Sequence, residues 1–109
     1  MNTDLIGDIV PPHQRHSDTS RAAALAMVPK FKGLMLNLFR FFKARGELGM
    51  TDEEGQFMSG VNGNSYRPGR VKLVDLGLVV DSGMRRKTRS GKDAVVWVAT
   101  KDVIHAELY

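Results

Sequence analysis

Two apolar runs near the C-terminus, LGLVV (76–80) and AVVWVA (94–99), are separated by RRKTRSGK (85–92). The runs are rich in β-branched residues and predict strands. Five of the eight residues between them are cationic (Arg85, Arg86, Lys87, Arg89, Lys92) and none is acidic, so that stretch must stay in water. Ser90-Gly91 is a turn signal. The pattern predicts a hairpin with buried ends and a basic tip. A two-residue loop at Ser90-Gly91 pairs Arg89 with Lys92 and Arg85 with Val96. Arg85, Lys87 and Arg89 then project from one side at period two. Trp97 lies inside an apolar strand and reads as core. So many like charges repel one another, and a polyanion would relieve that cost.

The charge is unevenly placed. Residues 1–61 hold seven Lys/Arg and seven Asp/Glu, while residues 62–109 hold nine and five, which accounts for the whole net charge of +4. A chain of 109 residues with 42% hydrophobic content predicts one folded domain with one modest core. There is no cysteine, which excludes disulfides, thiolate metal sites and Cys nucleophiles. No apolar run approaches a membrane span, and MNTDLIGDIVPP has no basic leader region. These features predict a soluble, cytoplasmic protein without a membrane partner.

Residues 1–16 read as an N-terminal arm, either disordered or laid across the domain through Leu5, Ile6, Ile9 and Val10. His13 and His16 form an H-x-x-H pair with no obvious third ligand, so no metal and no cofactor is expected. A helix begins at Ser17 or Asp18, carries an alanine-rich stretch, turns Leu25 and Val28 inward and ends at Pro29. A longer helix follows, roughly Lys30 to Ala44. Phe31, Leu34, Met35, Leu38, Phe41 and Phe42 keep helical spacing, and Leu36 and Phe39 widen the apolar face. That face is either the centre of the core or, where it exceeds what one chain can bury, a homodimer contact through the Phe31–Phe42 helix.

Thr51 and Glu54 form a T-x-x-E capping box, with Asp52-Glu53-Glu54 in the first turn, where the helix dipole favours anions. Gly60 stops this short helix. A second helix runs to Leu76, with Gly77 as its stop. Pro68 is tolerated only near a helix start, which predicts a cap at Asn64 or Ser65 rather than Asn62. Val71, Val74 and Tyr66 are expected to face inward, with Leu73 and Leu76 extending that face and Arg67, Arg70 and Lys72 outside. Residues 101–109 form a tail with no predicted element.

Helix, helix, a short helix-turn-helix pair and a basic hairpin is the order of a winged helix-turn-helix domain. It is an α+β class, mostly helical, here spanning 17–100. TDEE (51–54), RPGRVKLVDLGLV (67–79), DSGMRRKTRSGK (81–92) and VVWVAT (95–100) resemble winged-helix proteins, particularly small ones encoded by bacteriophages. DTSRAAA (18–24) is similar to the helix that often precedes them. Gly55 departs from the pattern, standing where such helices place an apolar core residue, and so does Gly69 beside Pro68.

The resemblance implies a three-helix core with a wing, and double-stranded DNA binding, but no particular biological role; the role expected here is a transcriptional regulator or a replication accessory factor. It places a recognition helix, 64–76, in the major groove. Asn64, Arg67 and Arg70 are then the expected base contacts, because Arg reads guanine and Asn reads adenine bidentately. Asn64 has a second reading as a helix cap. Ser65, Lys72, Arg85, Arg86, Lys87, Arg89 and Lys92 are the expected backbone contacts. The resemblance also implies the cytoplasm of a bacterial host.

An alternative use for the same layout is a protein-interaction module, its basic tip meeting an acidic protein partner. Catalysis is not expected. Gly91-Lys92-Asp93 is not a phosphate-binding loop, since Arg86 occupies the required upstream Gly position and Asp93 replaces Ser/Thr. No carboxylate pair, Ser/His/Asp set or metal-ligand constellation stands out.

Overall fold

The computed structural model describes residues 18–104. The arm with its H-x-x-H pair, and residues 105–109, lie outside that range. The chain is α+β and mostly helical. Helix α1 is Asp18–Met27, α2 Gly33–Arg45, α3 Asp52–Ser59 and α4 Gly63–Asp75; strands β1 (Val79–Lys87) and β2 (Asp93–Ala99) pair antiparallel, and α5 is Lys101–Ile104. Pro29 ends α1 as expected, but Val28–Lys30 becomes a 3-10 turn, so α2 starts three residues after the predicted Lys30.

The core gathers Leu38, Phe39 and Phe42 of α2, Tyr66, Leu73 and Val74 of α4, Leu78, Val79 and Ala99 at the hairpin base, and Val28. Phe31 meets Phe39 edge-on at 6.1 Å. Much of the apolar surplus of α2 is therefore taken up within the chain, with Leu34, Met35 and Phe41 partly buried against the core. The tail is not featureless, since Val103 of α5 is buried with the core and Thr100 N donates to Leu78 O at 3.0 Å.

Both ends of α3 follow the sequence. Glu54 N donates to Thr51 Oγ1 at 3.1 Å and Thr51 N to Glu54 Oε1 at 3.0 Å, while Gly60 is left-handed. Helix α4 ends in a Schellman motif: Gly77 N donates to Val74 O and Leu78 N to Leu73 O, with Leu73 and Leu78 both fully buried.

The start of α4 differs from expectation. Asn62 is the N-cap, its side chain accepting from Ser65 N at 3.1 Å. Pro68 therefore sits in the second turn and cannot donate to the Asn64 carbonyl, a loss that falls at an exposed residue. Gly69 sets the register. A β-carbon there would lie 2.7 Å from Leu38 Cδ1, so α4 approaches α2 through this glycine. Val71, two residues on and about 200° around the helix, is exposed rather than inward, while Tyr66, Leu73 and Val74 are buried as expected.

The hairpin also differs. Thr88 N donates to Lys92 O and Gly91 N to Thr88 O, closing a three-residue loop, Arg89-Ser90-Gly91, with Gly91 at φ +87°. Arg85 pairs with Val95, not Val96, and Lys87 with Asp93. A bulge at residues 82–84 shifts the ladder between Asp81 and Arg85. Arg89 is in the loop and does not continue the alternation of Arg85 and Lys87. One further pairing escaped the sequence: Met50 and Trp97 exchange two backbone hydrogen bonds, each 2.9 Å, so a single residue between α2 and α3 lies against β2.

Candidate functional site

Helix α4 presents Asn64, Ser65, Arg67, Pro68, Val71, Lys72 and Asp75 to solvent. Because Asn62 takes the capping role, the side chain of Asn64 is released from it. The Arg67 guanidinium folds back over Gly63, where a β-carbon would come within 2.8 Å of its Nη1. It is exposed and has no ion-pair partner among the described residues. Val71, one turn beyond Arg67, adds an exposed apolar group to this polar face. Sequence reasoning missed it because the Gly69–Leu38 approach, not local periodicity, fixes the helix rotation.

Arg70 does not belong to that face. Its Nε donates to Asp52 Oδ1 at 2.9 Å and its Nη2 to Asp52 Oδ2 at 2.7 Å. Its guanidinium lies 4.3 Å from the centre of the Trp97 ring. With 14% of its side chain exposed, it ties α4 to α3 and β2 through a two-pronged ion pair and a cation–π contact. Trp97 is only partly buried and forms the floor under Arg70.

Arg86 is likewise turned inward. Nε and Nη2 donate to the two oxygens of Glu54 at 3.0 and 2.6 Å, and Nη1 donates to Leu48 O at 2.8 Å. Arg45 adds a contact to Glu54 at 3.5 Å. The Arg86 hydrogen bond holds the Glu54 carboxyl below the usual carboxylate range, against the opposing effect of burial. Glu53 accepts from Arg89 N at 3.0 Å. The DEE run thus does more than complement a helix dipole: it fastens the hairpin and α4 to the start of α3.

Four hairpin cations remain at the surface. Arg85 pairs with Asp81 at 3.1 Å and Lys87 with Asp93 at 2.8 Å, both exposed contacts, which are weak and exchangeable. The side chains of Arg89 and Lys92 have no ion-pair partner among the described residues. An open groove between α3 and the hairpin tip is lined by Arg45, Glu53, Phe57, Met58 and Arg89. Phe57 is 87% exposed. Among the described residues no helix is long and apolar enough to cross a membrane, and no group of His, Cys, Asp and Glu could hold a metal ion. Comparison with family models, curated proteins and solved structures gives no match.

Proposed function

We propose that the chain is a winged helix-turn-helix domain that binds double-stranded DNA, with α4 in the major groove and the hairpin tip along the backbone. The observation that carries this reading is the sorting of the cations. Arg70 and Arg86 are used to brace the fold. Arg67, Lys72, Arg89 and Lys92 are left exposed without ion-pair partners among the described residues, on the outer side of α4 and the hairpin. The Met50–Trp97 bridge is compatible with the fold half of the proposal, since it ties the residue before the helix-turn-helix pair to the hairpin. Asn64 and Arg67 would meet base edges, and Val71 a thymine methyl. Ser65, Lys72, Arg85, Lys87, Arg89 and Lys92 would meet phosphates. We place the protein with small phage-type regulators or replication accessory factors acting in a bacterial cytoplasm. Fluorescence anisotropy on random duplex DNA tests the reading: log affinity should fall linearly with log salt, with a slope magnitude of roughly 4 to 6 for five to seven phosphates. No retention at about 50 mM salt would sink it.

Phe57 favours a second reading. A fully presented aromatic beside Met58 suits a protein partner. Phe57→Ser would then abolish partner binding while leaving duplex affinity unchanged. Equal DNA binding with no partner lost on that substitution would leave Phe57 without a role.

A further inference from the structure

The neutral N-terminal portion hides a second segregation of charge. Residues 28–45 contain five cations (Lys30, Lys32, Arg40, Lys43 and Arg45) and no acid. Arg45 is committed to Glu54 and to Gly49 O. The other four have no ion-pair partner among the described residues. Lys30, Lys32 and Arg40 are exposed and Lys43 is half-buried. Of the acids that follow in residues 46–61, Asp52 and Glu54 are held by Arg70 and Arg86 and Glu53 accepts from Arg89 N, while Glu47, just past the end of α2, is exposed. Lys32 is moreover the N-cap residue of α2, with no side-chain cap and no acid in the first turn, so it adds positive charge to the positive end of the helix dipole.

The Arg40 and Lys43 side of α2 points away from α4, with Lys32 at the N-cap of the helix and Lys30 in the turn before it. Leu34 and Leu38 of α2 face Gly69 of α4. Arg40 lies two residues past Leu38, and Lys43 five, which places them about 200° and 140° around the helix. On α4, Arg67 and Val71 each lie two residues from Gly69, again on the far side. The outer faces of the two helices therefore look in opposite directions.

We propose that the outer face of α2 is a second nucleic-acid-backbone site, so that one chain bridges two duplexes; the first contact rests on the DNA-binding reading above. The smallest extent of the molecule is 23 Å, more than twice the Debye length of about 8–10 Å near physiological salt. Two duplexes on opposite faces are therefore screened from each other. The α2 face fits a phosphate backbone better than a bilayer or an apolar-anchored peptide, because the large apolar side chain between Lys43 and Arg40, Leu36, is half-buried and Gly33–Arg45 contains no fully exposed one.

Bridging is read directly by capture of a fluorescent duplex on beads that carry an unlabelled duplex, with the full chain as the linker. Wild type should capture. Replacing Lys30, Lys32, Arg40 and Lys43 with Gln should leave binding to the bead duplex intact and reduce capture at least about tenfold, since four phosphate contacts are lost. A charge-keeping set, Lys30→Arg, Lys32→Arg, Arg40→Lys and Lys43→Arg, should capture as wild type does. If the Gln set melts early, Arg40→Gln with Lys43→Gln alone must still cut capture about threefold or more. Unchanged capture by the Gln variants overturns the proposal, as it would if bridging came from a dimer of hairpin surfaces. So does saturated bead binding by wild type without capture, which would also leave α2 to an acidic protein or a membrane. If the α2 substitutions abolish all duplex binding while hairpin substitutions change nothing, α2 is the sole duplex site; bridging and the hairpin reading then both fall. Loss of duplex binding on hairpin substitution, with the α2 variant still bound to beads, sustains the first site whatever the capture result.

Discussion

The Tyr66 ring occupies the space that a side chain on residue 55 would fill. A β-carbon at Gly55 would overlap the Tyr66 hydroxyl and ring carbons, and Tyr66 is fully buried. The core residue that the resemblance places on α3 is thus supplied from α4 instead. Helix propensity alone favours Gly55→Ala by about 1 kcal/mol. The overlap should reverse that sign, giving a net loss of about 1–3 kcal/mol. Urea denaturation decides; an Ala variant as stable as wild type would remove the ring as the reason for the glycine. Tyr66→Phe should be neutral or stabilising within about 1 kcal/mol, because the hydroxyl is buried without a hydrogen-bond partner.

Glu54 gives the fold a pH dependence with a defined sign. Arg86, then Thr51 N and Arg45, favour its charged form in the folded state. The folded value lies below the unfolded one of about 4.3, so the stabilisation is complete above that pH. It is lost as pH falls through the lower folded value. Glu54→Gln should flatten the decline of Tm below about pH 4. At neutral pH it should cost about 1 kcal/mol, a figure discounted for a side chain 32% exposed to screening solvent. An unchanged acid profile in the Gln variant would place the pH sensitivity elsewhere.

Local signals were legible in the sequence and distant ones were not. The capping box of Thr51 and Glu54, the stops at Gly60 and Gly77 and the presence of a hairpin each depend on a few adjacent residues. The rotation of α4 depends on Gly69 meeting Leu38, thirty-one positions away in the chain, and this turned Val71 outward against its periodicity. Local proline rules also failed at Asn62, because the cap tolerates Pro68 a turn and a half later when the orphaned carbonyl is exposed. The site was legible as a set of cations but not in their division of labour. Whether an arginine braces or reads depends on partners such as Asp52 for Arg70 and Glu54 for Arg86, 18 and 32 residues away.

Arg70 and Arg67 should therefore part company under alanine substitution. Arg70→Ala leaves Asp52 without its partner and uncovers Trp97, so it should lower stability by about 1–3 kcal/mol. Arg67→Ala should leave the melt within about 0.5 kcal/mol of wild type. On a preferred duplex Arg67→Ala should cost about 1–3 kcal/mol and much less on random DNA. Thermal melts with parallel anisotropy titrations separate the two. A stable Arg70→Ala variant with lost sequence preference would make Arg70 a reader that exchanges Asp52 for a base.

The hairpin cations should hold without reading. Lys87, Arg89 and Lys92 are exposed around a loop fixed by Gly91 and by the Glu53 contact to Arg89 N. Glu53 grips only the backbone amide of Arg89, so the side chain can be removed without loosening the loop. Changing all three to Ala should weaken binding to every duplex alike and lower the salt slope by about 3, roughly one per lost phosphate contact. Extending the set to Arg86→Ala should behave differently, because Arg86 is spent on Glu54 and Leu48 O: the melt should drop while the salt slope stays where the triple variant left it. Salt titrations of the triple and quadruple variants on a preferred and a random duplex provide the check. A change in sequence preference on losing the tip cations would mean that the hairpin enters a groove; a further fall in slope on losing Arg86 would mean that it leaves Glu54 for a phosphate when DNA binds.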